Sequence, residues 1–491
     1  MKTLTSISWL LAILTLLLLP TSCSQSTEDP LTDGPQPGEP IPGAPLVTVH
    51  VAEAGTFTQR LSNPYETINL KVTGKLNGTD LRYIRELAGR DIYNKPTAGA
   101  LKYIDLSEAV IINGGETYLN TNVVEAPNPD INNISNSLPG LFLDCENLIS
   151  VKMPNHIHEL RGTFMGCSSL TSVSLPEWAT NLSHAFCDCE KLSSVKIPDG
   201  VTNLSNTFYG CTSLTSVDIS GSATYLNYAF HGCTSLTSVK IPDGVTNLSN
   251  TFEGCTSLTT IDLPEGVIFL DGTFKGCTSL TSIDLPESVR NLNGTFKDCT
   301  SLTSIDLPKS VISLDSTFYG CTSLTTIDLP EGVIFLDGTF KGCTSLTTID
   351  LPESVSFLDC TFYGCTSLTS VNMLGDNALY LGNTFKDCPN LRTIRLFSPI
   401  PPIPREFPEL SDNVTIYVPK GSYMSYRETG WGAYNLMEFD AVGIDTPVRT
   451  NKAGVPEYYS IEGKLLTSPQ RGVNIVREAD GTTKKVFIQR P

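Results

Sequence analysis

The chain has 491 residues, a formal net charge of −18 and a pI near 4.7. A field of that sign opposes non-specific attraction to nucleic acid or to an anionic membrane surface, and leaves a basic or cation-bridged partner easier to hold. With 40% hydrophobic residues and 8% aromatics the chain has enough apolar material for a packed core, which excludes global disorder.

The first element is a leader. Lys2 precedes an apolar run from Ile7 to Leu19, too short to span a bilayer but fitting a signal-peptide core, and Pro20-Thr21-Ser22-Cys23 follows. A small pair before a cysteine resembles a bacterial lipobox, which implies cleavage before Cys23 and acylation of it. Pro20 stands where that pattern prefers Leu, and Leu19 lies one place early, so plain secretion is the alternative. Residues 1–23 are thus read as a signal peptide with a lipobox-like site, whose cleavage leaves Cys23 at the new amino terminus. Residues 24–45 carry Pro30, Pro35, Pro37, Pro40, Pro42 and Pro45 among few apolar residues, and predict an extended tether. The implied location is the bacterial outer membrane or cell surface, held by a lipid.

Residues 46–140 predict an N-terminal cap. Ile68 to Val72 has the alternation of a strand, and Thr79 to Gly89 predicts a helix with a Thr or Asp cap and a Gly stop. Leu101, Ile104 and Leu106 then open the pattern that dominates the rest of the chain.

From Cys145 to Cys365 a cysteine recurs every 22 residues, and Cys388 follows one residue late. The unit Cys255–Gly276, CTSLTTIDLPEGVIFLDGTFKG, recurs letter for letter at Cys321–Gly342, so a block of three units has been duplicated. Within it Leu258, Ile261 and Leu263 form an L-x-x-I-x-L strand signature with Thr260 and Asp262 alternating outward. Pro264-Glu265-Gly266 turns the chain, because Pro has no ladder donor and Gly permits the bend. Val267 and Leu270 return inward, and Thr273-Phe274 leads to the next cysteine. No single coil can hide these apolar groups, so stacked coils must bury columns of Leu, Ile or Val, Phe and Cys together. Twelve strands at roughly 4.8 Å give an axial length of about 55 Å. The spacing predicts a β-rich solenoid of leucine-rich repeats over 141–397, with a parallel sheet and caps at both ends.

The recurring CTSLTSI-x-LP-x-x-V-x-x-L-x-x-TF-x-G text resembles the BspA-like leucine-rich-repeat proteins of commensal anaerobic bacteria. That resemblance implies a surface protein linked to adhesion. It covers about 250 residues strongly, although family units are often a residue longer, which places the difference in a turn rather than in the strand.

Past the repeats, Thr415 to Pro419 and Tyr423 to Trp431 predict a C-terminal cap within 398–441. Residues 442–491 form a separate tail with Tyr459, Gly463-Lys464, Gly472 to Arg477, Asp480-Gly481 and Lys484-Lys485-Val486. This text is similar to carboxy-terminal sorting tails of the type IX secretion pathway, with Asn474 in place of the usual aromatic. A terminal hairpin turning at Asp480-Gly481 is the alternative.

Fifteen cysteines in an exported chain suggest disulfides. Twelve of them share one repeat position, however, so their side chains point in parallel, whereas a bridge needs converging Cβ vectors. Buried free thiols are therefore expected, and Cys187 with Cys189 lacks a matching pair of ligands for zinc. The histidines His50, His156, His158, His184 and His231 fall at different phases. No nucleophile elbow, zinc-protease pair or phosphate loop is present, so neither an enzyme nor a cofactor is predicted.

Binding is what remains. Ser or Thr fills the outward position at 150, 172, 194, 216, 238, 260, 282, 304, 326, 348, 370 and 393. The column beside it begins mixed, with Lys152, Ser174, Lys196, Asp218 and Lys240, and becomes Asp262, Asp284, Asp306, Asp328 and Asp350. Duplication of one Asp explains the run as well as function does. The functional reading assigns Asp262, Asp284, Asp306, Asp328 and Asp350, with Thr260, Ser282, Ser304, Thr326 and Thr348 beside them, to a cation-binding or partner-binding stripe. The expected partner is a host or neighbouring-cell surface protein. The rival is a surface glycan, for which the aromatics Trp178, Trp431, Tyr209, Tyr319 and Tyr363 are the candidate platforms.

Overall fold

The computed structural model describes residues 39–120, 130, 132–219 and 221–440, together with the backbone of four tail strands at 457–459, 465–466, 472–477 and 483–488. The expected leader and Cys23 lie outside the described residues, as do most of the tether and the Asp480-Gly481 turn. Among the described residues no helix is long and apolar enough to cross a membrane.

The chain winds as a solenoid of parallel strands, as the repeat predicts. At the N-terminal end, β1 (Leu46–Val51) pairs with β2 (Asn69–Leu76). The helix α1 (Gly78–Leu87) packs beside them. Next, β3 (Tyr103–Asp105) and β4 (Ala109–Ile111) pair with different parts of β2. The sheet continues through β5 (Ser150–Lys152) and β6 (Ser172–Ser174) at a 22-residue register. The helix cap is Asn77, two positions before the stretch read as helical. Its side chain accepts from Thr79 N at 3.0 Å while Asp80 Oδ2 accepts from Asn77 N at 3.0 Å, a reciprocal box that satisfies two first-turn donors.

Between the ends, each coil is knit to the next by the same few bonds. Phe252 N donates to Thr273 O at 3.0 Å, and Gly254 N to Lys275 O at 2.7 Å. The Thr-Phe and Cys positions close carbonyls that no strand partner reaches: Thr273 Oγ1 donates to Leu248 O at 2.9 Å and Cys277 Sγ to Phe252 O at 3.1 Å. Each is a bond across 25 residues, repeated coil after coil, so the threonine hydroxyl and cysteine thiol are buried polar groups with a fixed task. Burial pushes the Cys277 and Cys321 thiols up to about 12, which keeps them protonated and able to donate. The described cysteines are free thiols.

Phe142, Phe164, Phe186 and their successors to Phe385 stack ring over ring, with centroids 5.4 to 5.8 Å apart. Leu258, Val267, Leu270 and Phe274 are all fully buried in the representative coil, whereas Leu263 is only half-buried. The residue before the ladder cysteine lies in the left-handed region, as in Gly276 at φ +73° and Asp298 at φ +60°. That requirement explains why this position holds Gly or Asp and nothing bulkier.

The strand side is less uniform than the sequence suggests. Regular pairing ends at β6; past a single bridge from Lys196 to Asp218, β7 (Ser216–Val217) and β8 (Ser238–Val239) pair with each other. It resumes at β9 (Thr348–Leu351), β10 (Ser370–Met373) and β11 (Thr393–Leu396). Over the coils between, single bonds such as Thr281 N to Thr259 O and Thr325 N to Thr303 O, both 3.2 Å, keep the register without a full ladder. This stretch carries Asp262, Asp284, Asp306 and Asp328, and like charges directly opposite one another disfavour strand pairing.

The C-terminal end is closed by β12 (Thr415–Pro419), α2 (Tyr423–Arg427) and β13 (Asn435–Phe439), with Trp431 buried between. The Trp431 indole N–H donates to Pro402 O at 2.6 Å. In the tail, β14 (Glu457–Tyr459), β15 (Leu465–Leu466), β16 (Gly472–Arg477) and β17 (Thr483–Ile488) form one antiparallel sheet in the order β15-β14-β16-β17.

Two sequence expectations need correction. The tether does not run free to Pro45: the Asn69 side chain donates to Ile41 O at 3.0 Å and to Ala44 O at 2.9 Å, fixing this segment to the cap. The outward hydroxyl column is also buried at its start. Asn69, Tyr103, Ser150 and Ser172 stand in one cross-strand row, and all four are buried. Ser172 Oγ donates to Ser150 Oγ at 3.0 Å instead of facing water.

Candidate functional site

The face formed by the outward strand positions presents hydroxyls and carboxylates coil after coil. Thr260, Ser282, Ser304, Thr326 and Thr348 are exposed; beside them Asp262, Asp284 and Asp306 are exposed, while Asp328 and Asp350 are half-buried. Because the coils stack in register, these side chains form two straight columns. The row ends where Asp350 Oδ1 accepts from the Asn372 amide at 2.6 Å. At its other end, Asp218, Lys240, Asp243 and Asp262 line an open cleft of about 670 Å³. Carboxylates about 5 Å apart repel by roughly 0.8 kcal/mol per neighbouring pair in bulk water and by more at lower effective dielectric. The stripe is therefore a surface on which a bound cationic group gains and its absence costs. Among the described residues no three Asp, Glu, His or Cys side chains converge to hold a metal ion, so the stripe has the geometry of a rail rather than a chelate.

A second column of carboxylates lies on the return side of the coil, and sequence reasoning missed it. Asp315 Oδ1 accepts from Asp337 N at 3.1 Å, and Asp337 Oδ1 from Asp359 N at 2.8 Å. Burial raises the carboxyls of Asp271, Asp315 and Asp337 above the ordinary carboxylate range. Asp315 and Asp337 carry backbone donors between coils and belong to the scaffold, whereas the buried Asp271 Oδ1 meets no hydrogen-bond donor among the described residues.

The aromatics considered as sugar platforms divide sharply. The Tyr209 ring stacks on His231 at 4.4 Å. Lys297 and Lys341 sit over the Tyr319 ring at 4.5 and 5.5 Å, and Lys341 and Lys386 over the Tyr363 ring at 4.8 and 5.8 Å. These faces are already occupied, and Trp431 is buried. Trp178, in contrast, is 66% exposed. An unforeseen flank holds Phe335, Phe357 and Tyr380 stacked at 4.9 and 5.5 Å, closed at one end by the Arg405 guanidinium 5.1 Å above Tyr380. Strand alternation around the inward Leu270 points the residue before it, Phe269, outward, and Phe335 and Phe357 hold the same position, so the flank was accessible to a closer reading.

Comparison with known proteins decides the lineage. The model of the BspA type leucine rich repeat region matches in overlapping blocks at residues 100–207, 132–251, 205–316 and 293–407. The chain belongs to the BspA-type leucine-rich-repeat family. Among solved structures, it is similar to a leucine-rich repeat protein from Bacteroides ovatus, at 23% identity over 62% of this chain and 88% of that one, with a TM-score of 0.41. A leucine rich cell surface protein from Faecalibacterium prausnitzii shows 24% identity over 67% of this chain and 83% of that one, with a TM-score of 0.41. The leucine-rich repeat protein of T. pallidum shows 27% identity over 38% of this chain and 80% of that one, with a TM-score of 0.31. No protein of curated function matches the chain. BspA-type repeats form bacterial surface proteins, and solenoids of this kind generally serve as scaffolds for protein interaction.

Proposed function

We propose that this BspA-type protein is a cell-surface adhesin that holds a basic, extended segment of a host matrix or host-cell surface protein along its acidic stripe. The carrying observation is the in-register row of Asp262, Asp284 and Asp306, exposed beside Thr260, Ser282 and Ser304. A lysine- or arginine-bearing segment laid along that row relieves the mutual repulsion of the carboxylates while the hydroxyls bond its backbone. The apolar leader ending at Cys23 supports attachment to the outer membrane or cell surface through a lipid, with residues 24–40 as the spacer.

The test is solid-phase binding of the secreted ectodomain to a panel of matrix proteins across a salt series. Replacing Asp284, Asp306 and Asp328 together by Asn should weaken binding and flatten its dependence on salt, while raising the melting temperature. Unchanged binding by a correctly folded triple variant places recognition on another surface.

A further inference from the structure

Trp178 is the most exposed aromatic among the described residues, and the fold has no use for it there. It occupies the turn position after the strand that Gly200, Ser222, Gly244, Gly266, Ser288 and Ser310 fill one coil after another. A position satisfied elsewhere by a hydrogen atom or a hydroxymethyl group is under no packing demand for an indole. The coil that follows puts Gly200 beside it, so nothing large covers the indole from that direction.

Two clefts meet at this side chain. One, of about 680 Å³, is lined by Trp178 with Ser174, Leu175, Glu177, Lys196 and Asp199 among its walls. The other, of about 550 Å³, lies between Trp178 and Val110, His156 and His158. Both fall in the roughly 300–1,000 Å³ range of small-molecule sites, and Trp178 is the partition between them. His156 Nε2 accepts a hydrogen bond from Ile111 N at 3.2 Å, and burial lowers its pKa, so its imidazole is the neutral tautomer carrying its proton on Nδ1.

The polar groups around the indole are of mixed kind. Glu177 and Asp199 accept, Lys196 donates, and Ser174 does both. This balance differs from the all-acidic stripe: a cationic ligand on the indole meets Lys196 in the same cleft, and a polyanionic one meets Glu177, Asp199 and the net charge of −18. A neutral ring with one apolar face and a rim of hydroxyls satisfies both the indole and its surroundings.

We infer that the two clefts flanking Trp178 form a binding site for a neutral oligosaccharide, with one sugar ring stacked on the indole and adjoining units reaching into the clefts on either side. The site is separate from the acidic stripe and does not depend on it.

Tryptophan emission reports on the site directly, since the chain has three tryptophans, of which Trp9 lies in the leader and Trp431 is buried. Acrylamide quenching of the mature protein therefore reads Trp178. Titration with a broad panel of neutral gluco-, manno-, galacto- and xylo-oligosaccharides should identify members that shield this emission. Trp178→Ser, which installs the residue the fold already accepts at Ser288, should weaken their binding at least roughly tenfold by calorimetry. Melting temperature and binding of matrix protein to the stripe should stay unchanged. The inference is overturned if no panel member shields Trp178, if Trp178→Ser binds the shielding sugar as well as the parent does, or if a lysine-rich peptide shields it where the sugars do not.

Discussion

Replacing Phe296 by Ala removes a fully buried ring from the middle of the aromatic column, where it stacks on Phe274 at 5.7 Å and on Phe318 at 5.8 Å. Deleting a buried phenyl costs about 3–5 kcal/mol in transfer and cavity energy, of which the two stacking contacts supply about 0.5–1.5 kcal/mol each. The neighbours cannot close the gap, because Phe274 and Phe318 are held in register by Thr295 Oγ1 to Leu270 O and Thr317 Oγ1 to Leu292 O, at 2.8 and 2.7 Å. Phe385 is the matched comparison: it ends the column, is 5% exposed and stacks on Phe362 at 5.7 Å. With one stack instead of two, Phe385→Ala should cost less by about 0.5–1.5 kcal/mol. Urea unfolding followed by far-ultraviolet circular dichroism measures both. In a nearest-neighbour solenoid the central lesion should also broaden the transition, since the two halves lose part of their coupling. A loss below about 1 kcal/mol at Phe296, or equal losses at the two sites, refutes the view that the ring column is a cooperative element.

The remaining expectations concern titration, thiols and anchoring. Burial raises the carboxyls of Asp271, Asp315 and Asp337, so the folded state holds these protons more tightly than the unfolded chain. Their contribution therefore destabilises at neutral pH, and stability from these groups rises as pH falls through the raised values toward the ordinary one. Changing all three to Asn should raise the melting temperature near pH 7 and have little effect near about pH 4. A thiol reagent at mildly alkaline pH should label the half-buried Cys360 first and leave buried ladder members such as Cys277 and Cys321 unlabelled until urea is added, with no mass loss from pairing. Several bridges in a non-reducing map refute the parallel arrangement. Finally, Cys23→Ala should abolish labelling by a lipid precursor and release the protein from the membrane fraction; retained labelling rules out acylation at that residue.

The scaffold was legible because its determinants repeat. Cys255, Leu258, Ile261, Val267, Leu270 and Phe274 recur at fixed phase, and a buried column is the only arrangement that hides them all. The cap strand at Thr415 to Pro419 was equally plain, since β-branched and aromatic residues alternate up to a proline. What escaped depends on segments outside the period. Ser150 and Ser172 look like Ser282 in sequence, but they are buried in a row with Asn69 and Tyr103 of the cap and bond to each other. The interruption of the ladder, at Val195 as well as across Asp262 to Asp328, is not displayed by any single unit. The role of cysteine as a donor to Phe carbonyls was hidden too, because thiol burial alone does not say which acceptor it meets. Trp178 was visible as an aromatic, yet its value lies in Gly200 one coil later, and that adjacency exists only once the coils are stacked.

The bonds that join one coil to the next bear on how a gene for such a protein can change. From Thr251 to Thr361 every junction is made by the same donors and acceptors, from Thr273 Oγ1 to Leu248 O and from Thr339 Oγ1 to Leu314 O alike. Recombination between the identical texts at Cys255–Gly276 and Cys321–Gly342 inserts or deletes a whole number of coils, and each new junction finds its partners already in place. Gaining or losing the three-coil block changes the length by about 14 Å at roughly 4.8 Å per coil, without exposing core or orphaning a carbonyl. A lineage carrying this gene can thus change the length of its solenoid by unequal crossing-over alone, with no compensating substitutions.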